Sequence, residues 1–300
     1  MSFSVNTNFS IKRIVRDVVT TIKPSRSQDE AARHARRALR RRQKPFSFSA
    51  VVFAATVVFL FLPLFVLTLY SFNAAKSLHF TGFSFVWYEQ LFLHSGDLWH
   101  AFGNSVFIAL TSAVTATIFG TLGAIGVNWH RFRLRNYVQV VSFLPMVLPE
   151  IIIGVSLTIF FAGLKIPLGL LTIYIAHTTF NLPFVFLMVM ARLDEFDFSI
   201  IEAASDLGAD ERQTLVKVTV PVCMPGIVSG FLTAVTISLE DFVITYFVAG
   251  TGSTTLPLYI YSAIRFGVSP VINALSVVMI LGTVLLTYLL RNFLKYIAAK

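Results

Sequence analysis

With 300 residues, 56% hydrophobic, 13% charged and thirty Phe, this composition lies far from that of an average water-soluble domain and close to that of a polytopic membrane protein. The formal net charge of +9 does not mark a nucleic-acid binder: residues 1–47 hold twelve Lys/Arg against three Asp/Glu and so carry the whole excess. The single cysteine, Cys223, excludes an internal disulfide and a Cys-based metal cluster, and the six scattered His form no His-Glu-x-x-His pair.

Residues 1–47 form a basic arm in which Asp29 to Lys44 is expected to make a short helix, with Ala31, Ala32, Ala35, Ala38 and Leu39 among the arginines. Cationic side chains near anionic lipid are attracted by about 1 kcal/mol each, so a solvated or headgroup-hugging anchor is the plain reading and an organelle import signal its alternative.

A membrane-spanning helix needs about 20 largely apolar residues. Six segments reach that length, at roughly 49–71, 105–128, 137–163, 169–190, 223–248 and 271–293. The expected fold is therefore an all-α polytopic membrane protein, with a permease domain over 48–296 and a short tail at 297–300.

Basic residues next to the spans set orientation. Arg40, Arg41, Arg42 and Lys44 precede the first span, Arg131, Arg133 and Arg135 lie between the second and third, and Arg291, Lys295 and Lys300 follow the sixth. Both termini are accordingly expected in the cytoplasm. The loop at 191–222 departs from the pattern: Arg192, Arg212 and Lys217 face seven carboxylates there, a net of −4. Acidic residues weigh little on topology, but their concentration calls for a reason, and a soluble partner supplies one.

That loop carries its own helix punctuation. Ser199 and Glu202 stand at capping-box spacing, Ala203, Ala204 and Leu207 continue a helix, and Gly208 is suited to the left-handed conformation that ends it. Asp210, three residues before Gln213, opens a second helix that Pro221 is expected to interrupt, with Pro225 in the opening turn of the fifth span.

The longer pattern reads Glu202-Ala203-Ala204, three residues, Gly208, nine residues, Val218, one residue, Val220-Pro221. It resembles the signature Glu-Ala-Ala-x3-Gly-x9-Ile-x-Leu-Pro of the type I membrane permeases of ATP-binding-cassette importers, with Val218 and Val220 in place of Ile and Leu. The resemblance covers about residues 48–296. It implies six spans in a bacterial cytoplasmic membrane and a coupling-helix pair between the fourth and fifth. Its coupling residues here would be Glu202, Ala203, Ala204, Asp206, Gly208 and Pro221. It also implies a homologous permease partner, two cytoplasmic ATPases that use ATP and Mg²⁺, and an extracytoplasmic solute-binding protein. The chain itself has no Gly-x-x-x-x-Gly-Lys-Ser/Thr phosphate loop, so no ATPase activity, bound cofactor or metal is expected of it.

Within that family the text is most similar to the second membrane subunit of polyamine (spermidine/putrescine) permeases. The likeness runs through Ile237-Ser238-Leu239-Glu240-Asp241-Phe242-Val243, Leu256-Pro257-Leu258-Tyr259-Ile260-Tyr261-Ser262, Phe266-Gly267-Val268-Ser269-Pro270 and Asn273-Ala274-Leu275. It implies a small cationic substrate; ferric iron, thiamine or sulfate are the alternatives within the family, and a self-contained secondary transporter the alternative outside it.

Glu150 falls inside the third apolar run, and Glu240 and Asp241 inside the fifth. Carboxylates at membrane depth are functional candidates by default. Two readings stand: at least one lines the substrate path, or they have a structural or gating role, with Glu240 or Asp241 hydrogen-bonded to helix ends in a partner subunit or to the coupling region. Tyr259 and Tyr261 are expected in an irregular lead into a short outer helix, either as interfacial anchors or facing the delivered ligand.

Overall fold

The computed structural model describes residues 48–298 except 78, 131, 196, 198, 266 and 268. The basic arm with its predicted helix at Asp29–Lys44, Phe266 and Val268 of the family-like text, and residues 299–300 of the tail lie outside the described residues. Two compact units divide the chain, residues 1–65 and 66–300.

Within the described residues all regular structure is helical, apart from one isolated antiparallel bridge between Asn73 and Phe83. The first helix, α1, is Phe48–Tyr70, a run of Phe, Val and Leu whose apolar side chains are exposed along most of its length, as befits a surface solvated by lipid rather than water. Next come α2 (Val86–Leu93), α3 (Gly96–Trp129), α4 (Arg135–Val147), α5 (Glu150–Gly163) and α6 (Leu170–Asp194). The loop helices are α7 (Ser199–Asp206) and α8 (Glu211–Thr214), the latter running through a π turn at Leu215–Thr219 into α9 (Val220–Glu240). The chain closes with α10 (Val243–Val248), α11 (Leu256–Arg265) and α12 (Pro270–Ala298).

Five of these helical stretches are long and apolar enough to cross a membrane: α1, α3, α6, the path Glu211–Glu240, and Pro270–Leu289 of α12. A sixth is reached if α4 and α5, bent by 105° at their junction, count as one broken span. The expected single helix at 137–163 is thus two. Pro149 explains the break: its ring removes an amide, and the preceding Leu148 takes an extended conformation.

The fifth apolar run also differs from expectation. Its helix starts earlier than 223, ends at Glu240, and is followed by an extended Asp241 before the short α10. Pro221 does not interrupt the path, because it occupies the second position of α9, and the Val220 amide closes the wide turn on the Leu215 carbonyl. Pro225 consequently lies inside a helix rather than at its opening. Likewise α3 begins at Gly96, well before the expected 105.

The core is built by α3, α6 and α9, which pack through small residues. Ala113, Ala116, Ala124, Ala234 and Cys223 are buried against Val185 and Val189. A Cβ on Gly120 would stand 3.0 Å from the Val185 side chain, and one on Gly230 3.1 Å from its Cα. Without a hydrophobic drive between helices in lipid, such close backbone approach supplies the packing energy. A second apolar cluster joins Ile108, Phe161, Ile173, Phe180, Ile244 and Val248, and fixes α5 and α10 beside this core.

Candidate functional site

Two broken spans meet through α5 and α10. A Cβ on Gly154 would lie 2.8 Å from the Phe247 ring, so the absence of a side chain there lets the helices touch. The Thr158 hydroxyl then donates to the Phe247 carbonyl at 2.8 Å, and that of Thr172 on α6 to the Val248 carbonyl at 2.7 Å. Both bonds satisfy carbonyls at the C-terminal end of α10 that the short helix leaves open.

At its other end, α10 is capped by Asp241. One carboxylate oxygen receives the Ile244 amide at 3.2 Å, and the other receives the Thr245 amide at 2.9 Å and the Thr245 hydroxyl at 2.8 Å. His177 Nε2 reaches the second oxygen at 3.1 Å, with the two side chains only 3% and 6% exposed. Asp241 thus holds a helix end of its own chain, where the structural reading looks to a partner subunit or the coupling region. Glu240, its neighbour, is exposed. Glu150 is exposed as well, and opens α5 directly after Pro149 rather than lying within a straight span. It stands within electrostatic reach of Asp241 and Glu240, so the two breaks bring the three sequence-predicted carboxylates into one neighbourhood.

The tyrosines part company. Tyr261 is 46% exposed and lies over Phe242, the ring centroids 4.5 Å apart, with Tyr246 at 6.3 Å. These aromatic faces flank the Asp241 break. Tyr259 instead packs against the outer cluster of Leu91, Leu98, Leu256 and Leu275. Both belong to α11 rather than to an irregular lead, since Pro257 sits in the first turn of a helix, where it is tolerated.

The loop helices form a separate feature. The first turn of α7 is served by Asp197, whose carboxylate receives the Ser199 amide at 3.0 Å, and the expected Ser199–Glu202 capping box gives way to that cap. Hydrogen bonds from Ser199 hold the Asp197 carboxyl below the usual carboxylate range. Gly208 has φ +84°, the left-handed turn expected of it, and Asp210 caps α8 by accepting the Gln213 amide at 2.6 Å. Glu202, Ala203, Asp206 and Gly208 are exposed and Ala204 partly so. Leu207, which the sequence reading used only to extend the helix, is 89% exposed at its tip. Behind α7 a cleft of about 690 Å³ is lined by Ile201, Ser205, Ala209, Glu211 and Thr214 on one side and by Asn128, Trp129, Arg135 and Asp194 on the other. The helix pair is thus held through α9 while its outer face stays open. Pro221 is exposed too, in the first turn of α9.

Sequence reasoning missed His177, Ser238 and Thr245. A lone His in an apolar run shows no partner until α6 and α9 are packed side by side. Among the described residues no group of three or more His, Cys, Asp or Glu is placed to hold a metal ion.

The profile of the binding-protein-dependent transport system inner membrane components matches residues 116–300. The chain belongs to that family. The chain is similar to the spermidine/putrescine transport system permease protein PotC of Haemophilus influenzae, 41% identical over 244 residues that cover 81% of this chain and 93% of the relative. The putrescine transport system permease protein PotI of Escherichia coli is 41% identical over 242 residues, covering 78% and 85%. Among solved structures, a bacterial ABC transporter involved in import of the acidic polysaccharide alginate shares the fold with a TM-score of 0.67 at 18% identity, over 82% of this chain and 95% of that one. The methionine transporter MetNI in an inward-facing conformation gives 0.54 at 19% identity, over 68% and 99%. As an inner membrane component of such a system, the chain is a multi-pass permease subunit, a part of a transporter rather than a catalyst.

Proposed function

We propose that this permease subunit forms half of the translocation pathway of an ATP-driven polyamine importer, taking spermidine or putrescine inward. The observation that carries the reading is 41% identity across 81% of the chain to a permease named for spermidine and putrescine transport. The electrostatics agree with it. Glu150 and Glu240 are exposed carboxylates at the two span breaks, and the partly exposed rings of Tyr246 and Tyr261 are of the type that attracts alkylammonium groups.

In this reading both termini and the loop at 191–222 face the cytoplasm. The α7 segment Glu202, Ala203, Ala204, Asp206 and Gly208 docks on one of two ATPase subunits that bind ATP and Mg²⁺. A homologous permease completes the pathway, and an extracytoplasmic solute-binding protein delivers the ligand. Closure of the ATPases moves α7, the hinge at Pro221 passes that motion to α9, and the break at Asp241 lies at the far end of the same helix. A continuous helical path from Glu211 to Glu240 suits such a lever.

The test is uptake of labelled putrescine and spermidine into liposomes holding the complete assembly. ATP-dependent accumulation that vanishes without the ATPase is expected. Accumulation of ferric iron, thiamine or sulfate instead would remove the polyamine assignment, and gradient-driven uptake by this chain alone would remove the importer.

A further inference from the structure

His177 is buried in the middle of α6 and uses both ring nitrogens. Its Nδ1 lies 2.6 Å from the Ser238 hydroxyl on α9, and its Nε2 lies 3.1 Å from Asp241 and 2.9 Å from the Thr245 hydroxyl on α10. An ionised carboxylate only accepts, so Nε2–H donates toward Asp241, and Nδ1 pairs with the Ser238 hydroxyl. Ser112 on α3 extends the chain of contacts, 3.4 Å from Ser238. One imidazole therefore spans the point where the fifth span stops being a helix, touching its last turn on one side and the cap of α10 on the other.

Nothing in the assignment of pathway or coupling residues uses this ring. A buried polar group in lipid-embedded protein is costly unless its partners are placed, and here every partner sits at the break. Glu240 is the last helical residue before Asp241, so its position depends on where α9 ends. We propose that His177 is a positioning residue that pins Ser238 to Asp241 and thereby fixes Glu240 in the substrate path. The inference rests on the reading of Glu240 as a pathway carboxylate.

The ring does not touch the loop helices, so the expected defect is specific: ATP hydrolysis continues while less solute moves per ATP. In the reconstituted full assembly, His177→Phe keeps a flat, slightly larger ring and loses both bonds. His177→Gln places an amide donor near the Nε2 position, and His177→Asn places one nearer Nδ1. Solute moved per ATP should fall on the order of tenfold in the Phe and Asn variants, a shift corresponding to one good hydrogen bond, and recover in part in His177→Gln, which restores the contact to Asp241 alone. A ratio equal to that of the parent in all three variants, with transport and hydrolysis falling together, marks a purely structural residue and overturns the proposal. So does a ratio as low in His177→Gln as in His177→Phe. The parent assembly is measured first with putrescine and spermidine. If it hydrolyses ATP but moves another solute, the polyamine reading fails and the same ratio, taken with that solute, still decides the role of His177.

Discussion

Replacing Asp241 with Ala separates a carboxylate that holds the fold from one that faces the path. The substitution removes the cap on α10, worth about 1 kcal/mol. It also leaves the Thr245 hydroxyl, which donates to Asp241 at 2.8 Å, without that acceptor, and the His177 Nε2–H, 3.1 Å from Asp241, with only the Thr245 oxygen at 2.9 Å. Side-chain hydrogen bonds inside membrane proteins are worth about 0.6 kcal/mol on average and at most about 1.7. The sum is a loss of about 2–4 kcal/mol. Asp241→Asn keeps one accepting oxygen and should lose roughly half of that. Glu240→Gln alters an exposed side chain and should stay within about 0.5 kcal/mol of the parent. Denaturant or SDS titration of the purified protein in mild detergent reads the order directly, and uptake in the complete assembly reads the other half: Glu240→Gln should transport poorly while remaining stable. Parent-like stability of Asp241→Ala, or equal destabilisation by Glu240→Gln, would refute the assignment of the two neighbours to different jobs.

Gly208 has open space around its missing Cβ but a φ of +84°, so Gly208→Ala meets backbone strain of about 1–2 kcal/mol and no clash; weakened ATPase association is expected, with Gly208→Asn milder. Leu207 is 89% exposed, and burying such a side chain against a partner yields about 1.5–3 kcal/mol, so Leu207→Ser should weaken ATPase binding about tenfold or more in a pull-down titration without altering the permease. Gly154→Ala places a methyl 2.8 Å from the Phe247 ring and should cost about 1–3 kcal/mol in the same unfolding assay, with Phe247→Leu restoring part of it. The Asp197 carboxyl is held low by Ser199, so its stabilising cap is complete above the unfolded value near about 3.9 and is lost only as pH falls through the lower folded value. Protection of the Ser199 amide, corrected for intrinsic exchange, should therefore be flat from about pH 8 to 5; a step near neutrality would exclude this cap.

The long apolar helices and the helix–turn–helix at 199–220 were legible because each rests on local chemistry. Length decides a span, and Gly208 and Asp210 act on amides and dihedrals within three residues of themselves. The capping box was misplaced because two carboxylates compete for the Ser199 amide, Glu202 three residues on and Asp197 two residues before, and the amide goes to Asp197. The breaks were visible and misread. Leu148-Pro149-Glu150 and Glu240-Asp241-Phe242 both place a charge inside an apolar run, and hydropathy averages over a window that hides where the helix stops.

A carboxylate inside an apolar run has two inexpensive resting places in a membrane protein: a polar cavity, or the free amides of a helix that begins there. The second creates the helix start that it satisfies, which is why Asp241 and the break at α10 cannot be predicted separately. Asp241 stays buried because Ile244, Thr245 and His177 supply four donors to it, whereas no protein donor to Glu150 or Glu240 stands among the hydrogen bonds of the described residues. In the proposed importer those two are the groups left to attract a passing cation. His177 lies 61 residues from Ser238 along the chain. Its role follows only from the close packing of α6 on α9 that Gly226 and Gly230 permit, since a methyl on either would press into the α6 backbone. Filling Gly230 should therefore disturb the contact between His177 and Asp241 from two turns away, and Gly230→Ala should lower the solute moved per ATP as His177→Phe does, even though it touches no polar atom of the network.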